Sequence, residues 1–229
     1  MTPVRPPDAD GQASSIPLLR LLQIFDSQFP VGAFAHSGGV ETYAALGGGL
    51  AELRDILQAQ ISLGWGRSEL SAAHLAWRAA DAGTAALLDL TLEVDALKVV
   101  PVVRHASIGL GRRTLDLLRR LYPEAAVDVD PPHHAVVVGA AGRRLGIGAR
   151  ELLLAYGQSL AMGTLTAALR CMSVSPAQAH ALLADAHDDL SRAAERALAD
   201  PQDGLFTCTP ALDVRSHEQA FLRTRLFQS

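Results

Sequence analysis

The sequence predicts an all-α, single-domain helical bundle with a flexible N-terminal arm and a C-terminal tail. Three observations carry this. Apolar residues make up 49% of the 229 and aromatic residues only 5%. Ala and Leu dominate the apolar set, and both lose little side-chain entropy in a helix. Long runs of Val, Ile and Thr, which would argue for sheet, are nearly absent. A chain of this length and apolarity can bury one sizeable core. The expected division is an arm over 1–15, a helical domain over 16–221 and a tail over 222–229.

Met1 to Ser15 is polar, carries three prolines and lacks an apolar stretch, so it reads as a disordered arm rather than a signal peptide. Ser15 then caps a first helix with Pro17 in its opening turn. Leu18, Leu19, Leu21, Leu22 and Phe25 make that helix apolar on nearly all sides. Pro30 and Gly32 break it, and a short segment restarts near Ser37 and stops at Gly47-Gly48-Gly49. A helical pattern runs from Leu50 towards Ala80, loosened by Gly64 and Gly66, and Gly83-Thr84 opens another helix.

After Pro101 the clearest amphipathic helix follows. Leu110, Thr114, Leu117, Leu118 and Leu121 recur at i, i+3 and i+4. Arg112, Arg113, Arg119 and Arg120 form a basic face on the other side, a solvated face or a match for an acidic partner patch. Asp128 to His134 is a loop around Pro131-Pro132. Val136-Val137-Val138 is the one strand-like run, too short to build a sheet alone. Glu151 to Arg170 reads as a central, largely apolar helix. Ser175-Pro176 starts another, running to Ala199 and stopped by Pro201, and a last short helix begins near Asp213.

Composition also excludes functions. The net charge is −4 and no basic stripe is present, so nucleic acid is not an expected partner. No apolar run is expected to span a membrane. Cys171 and Cys208 alone define neither a disulfide framework nor a zinc site, and a reducing cytoplasm is the default. A P-loop is missing. Ala35-His36-Ser37-Gly38-Gly39 is close to a nucleophile elbow, but that elbow needs a preceding β-strand. A serine hydrolase using Ser37 is therefore the weakest alternative, behind an unrelated helical interaction module. His180 and His187 lie two helical turns apart, too far to share an ion, and His133-His134 needs distant help to form a site. No resident metal and no cofactor are expected.

The segment from Leu18 to Glu41 is the most unusual. A Leu-rich helix leads into Asp26-Ser27, then Pro30-Val31-Gly32-Ala33-Phe34, then His36-Ser37-Gly38-Gly39-Val40-Glu41. Local physics alone makes it a turn, with Ser37 as a helix cap. The tail carries Ser216-His217-Glu218-Gln219 and then Leu222-Arg223-Thr224-Arg225-Leu226-Phe227-Gln228-Ser229. Together these ends resemble the UreF family of urease accessory proteins. The sequence departs from the family's pattern at Cys171 to Pro176, at Phe221 or Leu222 where the tail usually has Tyr, and at Gln228.

The resemblance implies a helical, dimeric scaffold that is not an enzyme. Such a scaffold bridges a UreD/UreH-type protein and the GTPase UreG during nickel delivery to apo-urease. The residues then expected to bind partners are Phe29, Pro30, Gly32, Phe34, His36, Ser37, Gly39 and Glu41, with Arg223, Arg225 and Phe227 in the tail. Phe and Arg have the composition of an interface anchor. The alternative for Phe227 is that it folds back on the chain's own core.

Overall fold

The computed structural model describes residues 15–32, 36–223 and 226–227. The expected arm falls outside them except for Ser15, as do Phe34 and Arg225. Among the described residues there are eleven α-helices and no strand. They are α1 (Ile16–Ile24), α2 (Val40–Ala45), α3 (Leu50–Leu63), α4 (Trp65–Ala79), α5 (Thr84–Leu97), α6 (Pro101–Leu121), α7 (His134–Arg144), α8 (Ala149–Cys171), α9 (Pro176–Asp185), α10 (His187–Ala199) and α11 (Pro210–Glu218).

The helix ends follow local chemistry at several points. Ser175 and Gln178 form a reciprocal cap: the Gln178 N–H donates to Ser175 Oγ at 3.3 Å and the Ser175 N–H donates to Gln178 Oε1 at 2.9 Å. Gly49 donates its N–H to Glu52 Oε2 at 2.8 Å, which opens α3 in the same spirit. The pattern expected to run unbroken from Leu50 to Ala80 is instead two helices, parted at Gly64. A Cβ on Gly66 would lie 2.0 Å from the Ile61 carbonyl oxygen, so the turn needs a residue without one. Likewise the helix expected from Ser175 to Ala199 breaks at Ala186 into α9 and α10.

The centre of the bundle is α7 packed on α4. Every residue from Ala135 to Gly142 is buried. The strand-like Val136-Val137-Val138 is therefore a helix, because a helix buried on all sides shows no periodicity to read. The two helices approach closely: a Cβ on Gly139 would sit 2.1 Å from the Ala73 carbonyl oxygen. Around this pair lie α6, α8 and α10. In α6 the buried residues are Gly111, Thr114, Leu115 and Leu118, so the face is turned slightly from the one the sequence suggests. α8 has 23 residues and is apolar enough by length and composition to cross a membrane, contrary to the sequence expectation. Here it packs against α2, α3, α4 and α10 as a core helix.

Candidate functional site

After α1 the chain turns tightly. The Phe29 N–H donates to the Asp26 carbonyl at 3.0 Å and the Val31 N–H to the Phe29 carbonyl at 2.7 Å, around an exposed Pro30. Gly32 has φ +71, a left-handed conformation suited to glycine. Arg113 reaches across from α6, and its Nε donates to the Val31 carbonyl at 2.5 Å. It belongs to this loop rather than to a purely solvated basic face. Phe29 is partly buried against the core.

The next residues meet the C-terminal segment. Ser37 does not cap α2, whose N-cap is Gly39. Its hydroxyl donates instead to Gln219 Oε1 at 2.8 Å, and both side chains are buried. Gln219 Nε2 donates onward to Glu41 Oε2 at 2.8 Å. The other oxygen of Glu41 accepts the Leu226 N–H. Thr42 Oγ1 donates to the Arg215 carbonyl at 2.8 Å, and the Arg215 guanidinium lies 5.7 Å from the Tyr43 ring centroid. Gly39 has φ +91, and a Cβ there would come within 3.0 Å of Ser216 Oγ. Glycine thus serves both the backbone and the close seat of α11.

These contacts make a clasp. The two stretches that carry the family resemblance lie about 180 residues apart in sequence and form one polar unit. Phe227 closes it: its ring is buried at 5% exposure, under the Arg170 guanidinium at 4.8 Å. The alternative reading of Phe227, folding back onto the chain's own core, is the one the structure shows. Arg223 is exposed at the clasp's edge. Cys171, where the sequence departs from the family pattern, lies nearby. Burial, with Glu41 beside it, pushes its thiol up to about 11, so it stays protonated.

The clasp borders a cavity of about 280 Å³. His36, Ser37, Gly38 and Val40 line one side of it, and Leu212, Asp213 and Ser216 of α11 line another. Burial, then the charge of Arg113, lowers the pKa of His36 and keeps the ring neutral. The remaining walls come mainly from α3, α4, α5, α6 and α8, with His134 of α7 and the loop before α11.

Sequence reasoning missed the polar groups on the cavity's other side. Lys98 pairs with Glu69, and both side chains are nearly buried. The Tyr156 hydroxyl donates to Glu69 Oε2 at 3.2 Å, and His134 Nδ1 lies 3.2 Å from the same hydroxyl. Burial pushes the Glu69 carboxyl up, but Lys98's charge and hydrogen bond outweigh this and hold it below its usual range. Burial lowers His134 to about 4 against the pull of Glu69, with Lys98 and Arg113 adding to the fall. Burial, then Glu69, raises Tyr156 well above its usual value. The tyrosine keeps its one proton for Glu69, so a neutral His134 donates from Nδ1.

Behind them His133, fully buried, lies with Nε2 3.0 Å from Asp95 and Nδ1 3.0 Å from Ser107 Oγ. Burial lowers its pKa even against the hydrogen bond its ring N–H donates to Asp95, so this is a neutral ring bonded to a carboxylate. A signal was present in the sequence: Lys98 is the only lysine among 20 basic residues. Its role as a compact, flexible point charge is one an arginine fork does not fill. His180 and His187 are exposed and on separate helices. Among the described residues, no group of three or more His, Cys, Asp or Glu is placed to hold a metal ion.

The chain matches the family model UreF over residues 49–187. It is 33% identical over 193 residues to the urease accessory protein UreF of Mycobacterium tuberculosis, covering 81% of this chain and 89% of that one. A urease accessory protein UreF from Mycobacterium sp. strain JLS is 33% identical over 217 residues, 93% of this chain and 99% of the relative. One from Nostoc is 29% identical over 220 residues, 92% and 95% of the two chains. The family model thus covers the central helices, while the longer alignments extend towards both ends, where the clasp is built. With a matching family model across more than half its length and relatives aligned along most of it, the chain belongs to the UreF family of urease accessory proteins.

Proposed function

We propose that this protein is a nickel-insertion co-chaperone, a homodimeric cytoplasmic scaffold that bridges a UreD/UreH-type accessory protein and the GTPase UreG on apo-urease. Nickel is cargo in this reading, and the chain is neither the urea-hydrolysing catalyst nor a nucleic-acid or membrane binder. One observation carries the choice of surface. Beside the clasp, Val214 is 54% exposed, Phe221 78% and Leu226 60%. Large apolar side chains at such exposure, on α11 and after it, fit a surface that a partner covers. The polar clasp holds Arg215, Gln219 and Leu226, which lowers the ordering cost of binding there.

Family membership supports the pathway, and the clasp supports the face. Ser37, the candidate nucleophile of the hydrolase alternative, spends its proton on Gln219, which favours the scaffold reading. The test is complementation in a urease-positive host that lacks its own UreF-type gene. The full chain should restore urease activity at limiting nickel. No restoration, although the chain is expressed and folded, would contradict the reading. Light scattering at micromolar concentration should give twice the mass of one chain; a strict monomer would remove the dimer.

A further inference from the structure

The cavity that the clasp borders is large enough for a guest. Its volume is about 280 Å³, and an apolar cavity of about 150 Å³ already holds a benzene ring. Apolar side chains supply much of its wall, among them Val94, Leu97, Val103, Leu110 and Leu160. Gly163 of α8 lines it too, and a Cβ there would meet nothing within 4 Å, so the space beside α8 is open.

The charges on the wall do not balance. Lys98 and Glu69 are paired with each other. Burial lowers the pKa of both His36 and His134, and their rings are neutral. Asp213 remains. It is half-buried in the first turn of α11, where the helix dipole favours a carboxylate. Among the described residues its carboxylate has neither an ion pair nor a hydrogen bond. Burial alone raises its pKa, with no neighbouring charge acting against that. Arg113, which acts on both histidines, is not part of the wall and does not act on Asp213. A guest that fills the cavity displaces water from Asp213. An anion would repel the carboxylate, and a neutral guest would leave it desolvated and unpaired, which is costly for a charge. An ammonium group gives it a charge-assisted hydrogen bond.

We propose that the cavity binds a small organic cation, an alkyl- or arylammonium, with its apolar body against the aliphatic wall and its ammonium on Asp213. The site does not depend on the scaffold reading. Calorimetric titration of the full chain near neutral pH with 2-phenylethylammonium, 2-phenylethanol and 3-phenylpropionate tests it. The ammonium should bind saturably and one to one, the alcohol about tenfold more weakly, and the carboxylate not at all. Asp213→Asn should weaken the ammonium to the level of the alcohol and leave the alcohol as it was. Gly163→Leu, which fills the open space, should weaken both while the melting temperature holds or rises, since a helix interior prefers Leu to Gly. No binding of the ammonium, or binding of the carboxylate as tight, would overturn the site. So would an Asp213→Asn variant that keeps the preference or weakens both guests alike, or a Gly163→Leu variant with wild-type affinity.

Discussion

Gln219 holds two partners at once, and both sit in the N-terminal half of the clasp. Its amide is satisfied on both sides: the oxygen accepts from Ser37 and the nitrogen donates to Glu41. Gln219→Ala strands a buried hydroxyl and part of a buried carboxylate, so a loss of about 2–3 kcal/mol is expected in urea unfolding. Ser37→Ala leaves only the amide oxygen short and should cost about 1–2 kcal/mol. If both variants unfold at the wild-type midpoint, the clasp is not a stabilising unit. Gly39→Ala meets a positive φ and Ser216 together, which makes it the most damaging of the three left-handed glycines, Gly32, Gly38 and Gly39, in this segment. None of these three substitutions touches the exposed Phe221. The presence of Pro30, Gly32 and Gly39 was legible as a turn. The partner of Ser37 was not, because its hydrogen bond spans 182 positions and local patterns report only near neighbours.

At the scale of elements, the outer helices were read more easily than the inner ones. α10 alternates polar and apolar residues around Leu190, Ala193, Ala194 and Ala197, and its buried face shows in the sequence. α7 is buried on every side, so Val136 to Val138 carry no period and suggest strand by composition alone. The tail illustrates the same limit. Its Phe and Arg content fits an interface, yet Phe227 is packed under Arg170 while Leu226 and Phe221 face outward. Deleting residues 224–229 should therefore lower stability, not leave it unchanged. Removing a buried Phe side chain costs about 3 kcal/mol, roughly 10 °C in melting temperature for a chain of this size. Phe227→Ala should reproduce most of that fall. A truncated chain that melts with the wild type would mean Phe227 contributes nothing to the core.

For the whole molecule, the buried polar groups around the cavity tie α4, α5, α6, α7 and α8 together through Glu69, Lys98, Ser107, His134 and Tyr156. They also set how the protein answers pH. His134 titrates at about 4 when folded and near 6.5 when unfolded, and His36 and His133 are shifted in the same direction. The unfolded chain therefore binds more protons as pH falls below 6.5, and stability drops from there towards 4. Melting temperature should fall across that window, and His134→Gln should flatten the fall. An unchanged slope in that variant would assign the effect elsewhere. The bundle class and the central place of α8 were visible beforehand. This buried network was not, since a single lysine among arginines states that a residue is unusual but not which four helices surround it.

The central claim is that the clasp presents the α11 edge to a partner. Co-purification of a UreD/UreH-type protein with the full chain and with Phe221→Asp tests it most directly, each run beside a melting curve. Phe221 is 78% exposed, so the substitution should leave the melting temperature within a degree or two, as surface changes do. The account predicts loss of the partner from Phe221→Asp at an unchanged melting temperature. Capture of the partner at wild-type strength by that variant would contradict it.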